Sequence, residues 1–436
     1  MSADFLYGLL PDHLLLALML LLMVLEMARV DARWARPVFV GAVGAALAVL
    51  LQQIAAGYSA EIVAGEIRID RFALLAKAVL LGCGLAIALG FAARGGWKFW
   101  LLLASMLLGA MLVMGSAGFA SFFIGIELLS LPAFALMVQG QGGTVATEGA
   151  FKYLLMSSVG TALLLFGISL AYGSTGSLAI AALAPALGGG GAQPQAAVLL
   201  VLCGLFLKAA VFPFHAWAPD AYASTRLEVT AVLASVVKAG VVLALVRIVL
   251  DVQLGVATTA LVAPLAIASI VFGNLAALGQ RRFKRLLAYS SVAHAGYMIF
   301  ALADSTGSRS SDLLWYTAFY AGATVLASAC YALLCPGDGD ELDALDGQFH
   351  HHPLAALGLA FALLSLAGLP PFPGFFAKLF IFTSVIGSGH LVAAVLAFVG
   401  SFLGLAVYLG LVLRLFRAES PSAAGGRSAP AAQAGA

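Results

Sequence analysis

The sequence predicts an all-α polytopic membrane protein with about thirteen transmembrane helices. Three observations carry this. Of 436 residues, 63% are hydrophobic and only 10% are charged, against about 25% charged in a soluble domain. The apolar residues fall in runs near the roughly 20 residues that a spanning helix needs. The segments between them are too short to fold a water-soluble domain. The charge is nearly balanced, 22 Lys+Arg against 20 Asp+Glu, so nothing marks a nucleic-acid partner.

Read with a window of about 19 residues, the runs lie near 11–28, 36–56, 71–93, 97–115, 118–138, 149–172, 194–217, 227–250, 255–279, 285–303, 311–335, 353–387 and 390–416. The first follows Asp4 and Asp12 rather than a basic segment, and no small-residue cleavage site follows it, so it reads as a retained helix and not a signal peptide. The twelfth is too long for one straight span and contains Leu369-Pro370-Pro371-Phe372-Pro373-Gly374. Proline removes a backbone donor and clashes with the preceding turn, so this run reads as one broken helix. Residues 418–436, rich in Ser, Ala, Gly and Pro, read as a disordered tail.

The cations test the topology. Connections after odd-numbered helices and the C-terminal tail hold thirteen: Arg29, Arg33, Arg36, Arg94, Lys98, Arg226, Arg281, Arg282, Lys284, Arg285, Arg414, Arg417 and Arg427. The opposite side holds four, Arg68, Arg71, Arg247 and Arg309. The positive-inside rule then puts the N-terminus outside and the C-terminus in the cytoplasm. The longest connections, about 173–193 and 336–352, are too short for a nucleotide-, flavin- or haem-binding domain. Cys83, Cys203, Cys330 and Cys335 show no C-x-x-C spacing, which argues against iron–sulfur ligation and a disulfide framework. His350-His351-His352 with Asp338, Asp340, Glu341, Asp343 and Asp346 reads as a solvated loop rather than a metal site.

Five lysines remain, all inside apolar runs: Lys77, Lys152, Lys208, Lys238 and Lys378, joined by Glu127 in the fifth run. Facing lipid unpaired, the lysines would cost on the order of 15 kcal/mol, so they must face a wet or paired interior. A desolvated lysine, unlike arginine, gives up its proton near neutrality. A row of lysines ending in an acid is therefore suited to passing protons.

Lys208 lies five residues before Pro213, and Lys378 five residues after Pro373. Two broken helices five spans apart, each with a lysine near the break, point to two five-helix repeats, 97–250 and 255–416, after three N-terminal helices in 1–93 and before the tail, 417–436. An odd offset makes the repeats inverted in the membrane, and discontinuous helices at equivalent places mark transport sites. Lys77 lies six residues into its run and reads as snorkelling to the interface. Lys152 follows Glu148 by one turn, so a surface i,i+4 pair and a functional role both fit. Glu127, Lys208, Lys238 and Lys378 are too deep, or too close to a break, for snorkelling. His294 fits a proton relay or a neutral core histidine equally, and His215, at a helix end, fits a relay to water or a structural role.

The segments Gly125-Ile126-Glu127-Leu128-Leu129-Ser130-Leu131-Pro132, Glu148-Gly149-Ala150-Phe151-Lys152-Tyr153, Phe214-His215-Ala216-Trp217-Ala218-Pro219-Asp220-Ala221-Tyr222, Lys284-Arg285-Leu286-Leu287-Ala288-Tyr289-Ser290-Ser291 and Ser365-Leu366-Ala367-Gly368-Leu369-Pro370-Pro371 resemble the antiporter-like membrane subunits of respiratory complex I, the NADH:quinone oxidoreductase. The similarity runs from roughly residue 97 to 416. It implies the same inverted repeats and a subunit of a translocating oxidoreductase, with proton pumping coupled to quinone reduction in neighbouring subunits. The family's essential acid matches Glu127 and its channel lysines match Lys208, Lys238 and Lys378. Lys152 matches the lysine of the sixth helix, Glu148 the acid beside it, and His215 and His294 the family histidines.

The resemblance implies no cofactor in this chain, with flavin, iron–sulfur clusters and quinone held by partner subunits. It implies the other antiporter-like and small membrane subunits as partners, in a bacterial inner membrane. One departure is the fourteenth helix usual in bacterial members, since the runs here end with the thirteenth. Three other functions compete. A cation/proton antiporter subunit of a multi-subunit exchanger and the membrane subunit of a related hydrogenase complex share the repeat; a scaffold would need the lysines paired structurally. Sodium transport calls for oxygen ligands at a helix break, whereas lysines repel Na⁺ and favour protons.

Overall fold

The computed structural model describes residues 3–91, 96–140, 144–252, 256–303, 309–337 and 339–417. Arg94, Asp338, Arg427 and the tail from 418 lie outside the described residues. Among the described residues, eleven helices are long and apolar enough to cross a membrane. Two further spans are interrupted, so all thirteen expected spans are present. In chain order the helices that build the spans are α1 (Leu10–Met27), α2 (Ala35–Ala55), α3 (Arg71–Gly90), α4 (Gly96–Gly115), α5 (Phe119–Gly140), α6 (Thr144–Thr175), α7 (Ala192–Lys208), α8 (Trp217–Ala223) and α9 (Leu227–Asp251). They continue with α10 (Val256–Leu278), α11 (Phe283–Phe300), α12 (Arg309–Leu334), α13 (Pro353–Ala367), α14 (Pro373–Gly387) and α15 (Leu391–Leu415).

The seventh span is α7 and α8 with an open segment between them, and the twelfth is α13 and α14. Each break follows from its prolines, Pro213 in the first and Pro370, Pro371 and Pro373 in the second, which remove donors from the helical ladder. The packing repeats at an offset of five spans. α4 lies along α5 as α10 lies along α11, α6 along α7 as α12 along α13, and α4 meets α9 as α10 meets α15. Successive spans alternate in direction, so the odd offset inverts the second set relative to the first. α9 is buried along its whole apolar length, and α12 of the second set packs against it. α1, α2 and α3 pack on one another and on α4.

The connections gather at two ends, as the cation pattern requires. At one, Phe283 N donates to Asp340 O at 2.6 Å, Leu342 N to Arg281 O at 2.9 Å and Gly347 N to Arg414 O at 3.0 Å. At the other, Phe119 N donates to Leu178 O at 2.8 Å and Ile180 N to Ala117 O at 2.9 Å. A hairpin of β1 (Ala60–Val63) and β2 (Ile67–Ile69) also sits at this second end, where Ile67 bridges Ser116. Strands of four and three residues are too short to leave a period in the sequence.

Candidate functional site

Glu127 comes from α5, and Lys208 is the last residue of α7, where the chain leaves the helix toward Ala210 in the left-handed region (φ +53°). Lys208 Nζ lies 3.1 Å from Glu127 Oε1. The ammonium also donates to Ser130 Oγ at 3.2 Å and Ser157 Oγ at 3.1 Å, and Thr161 Oγ1 donates to Glu127 Oε1 at 2.7 Å. The lysine side chain is 3% exposed and the glutamate 21%, so the pair has one end toward the outside. A buried ion pair persists only when further hydrogen bonds satisfy both members, and the three hydroxyls from α5 and α6 do so.

Side chains from the first break and from neighbouring helices supply partners to its backbone, as polar backbone at membrane depth requires. Trp217 Nε1 donates to Leu207 O at 3.0 Å, and Phe212 N donates to Ser269 Oγ on α10 at 2.9 Å. The Lys238 ammonium from α9 donates to Ala209 O. Lys238 therefore touches the residue next to Lys208. It directly follows a π-helical turn, Leu233–Val237, an irregularity that re-aims the side chains after it.

In the second half Lys378, on α14, donates to Ala367 O at 2.8 Å and to Ser401 Oγ on α15 at 3.0 Å. Its ammonium lies 4.5 Å from the centre of the Tyr297 ring, within cation–π range. His294, on α11, lies between two hydroxyls: Nδ1 is 2.8 Å from Tyr316 OH and Nε2 3.3 Å from Tyr408 OH. Tyr408 OH reaches Ser290 Oγ at 2.6 Å. His294, Tyr316, Ser365 and Lys378 line a common cavity of about 10 Å³, at the lower limit for one water molecule.

Lys152 is held elsewhere. Its ammonium lies 2.8 Å from Glu148 Oε1 and 2.7 Å from Asp220 Oδ2, and Arg285 on α11 reaches Asp220 Oδ1 at 2.9 Å. At 44% exposed, Lys152 belongs to an ion cluster at the end of the bundle and not to the buried row. The i,i+4 pair with Glu148 is present; the Asp220 contact is the part that spacing along one helix does not contain. The His215 ring packs in the break between Phe212, stacked at 5.4 Å, and Phe272 at 4.4 Å. The expectation for Lys77 is overturned. It does not snorkel, because its side chain is 1% exposed and Nζ lies 2.6 Å from Asp12 Oδ2 on α1. Arg247 is likewise no peripheral topology charge but fully buried, 2.6 Å from Asp70 Oδ2.

The hydroxyl groups are what sequence reasoning missed. Tyr297, Tyr316 and Tyr408 come from three helices, and Ser130, Ser157 and Thr161 from two. None is unusual in an apolar run; only their convergence on Lys208, His294 and Lys378 distinguishes them. Lys208, Lys238, His294 and Lys378 are thus buried ionisable groups, and the half-buried Glu127 pairs with the first of them. Hydroxyls and break carbonyls lie between them, which is the composition of an intramembrane proton relay.

The protein family described as NADH:quinone oxidoreductase/Mrp antiporter, transmembrane, matches residues 116–404. NADH-quinone oxidoreductase subunit N of Pelobacter propionicus is 52% identical over 421 residues, covering 96% of this chain and 91% of that protein. A chain of respiratory complex I from Thermus thermophilus superposes with a TM-score of 0.84 at 34% identity, covering 93% of this chain and 90% of that one. A chain of the Mrp complex from a Dietzia species also superposes at 0.84, with 24% identity, covering 96% and 81%, and shares the fold.

Proposed function

The chain belongs to the NADH:quinone oxidoreductase/Mrp antiporter transmembrane family, and from that membership we propose that it moves protons along Glu127, Lys208, Lys238, His294 and Lys378. It is a multi-pass, antiporter-like subunit of the membrane arm of an NADH:quinone oxidoreductase, of the subunit N type. The observation that supports the proton path best is shared by the two broken helices. At each, a buried lysine ammonium sits on a carbonyl freed by the break, Lys238 on Ala209 O and Lys378 on Ala367 O. A charge held by the irregular backbone of a broken helix responds when that helix shifts.

In this mechanism a proton taken up around His294 and Lys378 passes to Lys238 and then to Lys208. Like charges disfavour each other, so a proton arriving on Lys238 promotes release from its neighbours. Glu127 holds the Lys208 ammonium, and the proton leaves when their 3.1 Å pair opens. Tyr316 and Tyr408 fix the orientation of the His294 ring. Flavin, iron–sulfur clusters and quinone belong to partner subunits, which supply the driving reaction. The chain resides in a bacterial inner membrane, with the N-terminus outside and the C-terminus in the cytoplasm, as its cation distribution supports.

Glu127→Ala and Lys208→Ala are each expected to lower NADH-driven proton pumping by at least about tenfold, with the complex still assembled. The assay is dye-monitored acidification of proteoliposomes holding the purified complex, with subunit content checked on a native gel. Full pumping by either variant removes that residue from the path, and full pumping by Lys238→Ala favours the scaffold. Sodium-dependent flux would favour the cation/proton exchanger.

A further inference from the structure

Asp312 takes no part in the row described above, yet it is a buried carboxylate at the margin of the second half. It lies in the first turn of α12, 9% exposed, and its Oδ2 accepts from Ser384 Oγ at 2.5 Å. Among the described residues no cation lies within ion-pair distance of it. A first-turn acid gains from the helix dipole, but that gain needs no burial, and an unpaired buried carboxylate is costly.

Its two neighbours lead to the proton site. Ser384 is on α14, the helix that carries Lys378 six residues earlier, about 9 Å along the axis. Tyr316, one turn after Asp312 on α12 and so on the same face, is the residue whose hydroxyl lies 2.8 Å from His294 Nδ1. Asp312 thus stands one turn beyond the His294–Tyr316–Lys378 cavity, toward the end of the bundle.

The repeat gives this position a counterpart. Five spans earlier, the first turns of α6 place Lys152, paired with Glu148, against Asp220 on α8, the second arm of the other broken helix. In both halves, then, a charged side chain near the start of the sixth or eleventh span touches the second arm of the broken helix that follows, Lys152 meeting Asp220 in the first and Asp312 meeting Ser384 in the second. The two positions lie at opposite ends of α11. Arg285, which binds Asp220, is at its start, and Asp312 follows its end, about 27 Å away for the 18-residue helix. The difference is chemical. Lys152 and Arg285 neutralise the first cluster, whereas among the described residues Asp312 is met by the Ser384 hydroxyl and by no cation.

We propose that Asp312 is the proton-exchanging carboxylate that connects the His294–Lys378 site to the membrane face opposite the Glu148–Lys152–Asp220 cluster. The assignment rests on the proton path proposed above. One proton is exchanged in this step. When the Lys378 ammonium becomes an amine, the Asp312 carboxylate becomes the neutral acid, which trades that proton with water at that face. The reverse step loads Lys378 for the path toward Lys238. Ser384 positions the carboxylate and is not itself a titrating group.

The test compares Asp312→Asn, Asp312→Glu, Ser384→Ala and Lys378→Ala in the complete complex in proteoliposomes. Asp312→Asn is expected to cut pumping at least about tenfold, with Asp312→Glu restoring most of it and Ser384→Ala giving an intermediate loss. Infrared difference spectra of the turning-over complex should contain a carboxyl C=O band that disappears in Asp312→Asn, a signal that a purely structural aspartate would not produce. Full pumping by Asp312→Asn alongside a silent Lys378→Ala overturns this proposal and leaves the path intact. Full pumping by Lys378→Ala as well overturns the path itself. If Asp312→Asn fails to assemble, the wild-type band, shifted in Asp312→Glu, supports the assignment, and its absence refutes it.

Discussion

Lys77 and Lys208 are both buried lysines with one carboxylate partner, and what surrounds each pair separates them. Around Lys208 and Glu127, Ser130, Ser157 and Thr161 offer alternative partners, so the proton and the pair can rearrange. Lys77 has the Asp12 carboxylate at 2.6 Å and lies on the N-terminal helices, away from both breaks. A buried pair that loses one member costs about 3–5 kcal/mol. Asp12→Ala should therefore lower the thermal stability of the purified complex by that order, read by a thermal-shift assay. Protons pumped per NADH oxidised should remain unchanged in the complex that survives. Lost pumping with unchanged stability would assign the pair to the proton path instead. Counting charges in apolar runs finds both lysines but cannot tell them apart, because the distinction lies in residues from other helices.

The two breaks show how a helix holds a lysine at mid-membrane. After α13 the chain turns at Gly368 (φ +79°), and a Cβ there would lie 2.7 Å from Lys378 Cδ, so glycine lets the lysine lie against the broken end. Gly374 lets α14 start beneath α13, since a Cβ at that position would lie 1.8 Å from Ser365 O, a backbone atom that cannot step aside. Gly374→Ala should push α14 away from α13 at a cost of about 1–3 kcal/mol and draw Lys378 off Ala367 O. Pumping should then fall as in Lys378→Ala although the lysine is retained, which the proteoliposome assay reads directly. Pumping at the wild-type rate would mean that the contact between the two arms does not govern the lysine. The prolines make both breaks legible in the sequence. The π-helical turn before Lys238 has no such marker, because Leu233-Ala234-Ser235-Val236-Val237 is unremarkable in any apolar helix.

Across the whole molecule, one end is fastened by charges that join the hairpin, α3, α4 and α9. Arg247 donates to Asp70 Oδ2 and to Ser116 O, both at 2.6 Å, and Arg68 reaches Asp251 Oδ1 at 2.7 Å. Burial alone would raise the Asp70 carboxyl, but Arg247, the Ala73 N–H and Arg68 together hold it below its ordinary 3.8. The stability it contributes is fully present above that ordinary value and is lost as the pH falls through the lower folded one. Asp70→Asn should therefore destabilise the complex at neutral pH and flatten the acid limb of its thermal stability, measured by unfolding between about pH 3 and 7. An unchanged acid limb would place the acid sensitivity elsewhere. By itself the sequence determined the number of spans, the two breaks, the inverted repeat and the three deep lysines Lys208, Lys238 and Lys378, because hydropathy, proline and the cost of a charge in hydrocarbon act locally along the chain. The tertiary structure decided which carboxylate meets which lysine, which hydroxyls join them, and that Lys77 and Lys152 stand outside the row. Those choices depend on contacts between helices far apart in sequence, whose register no local period records.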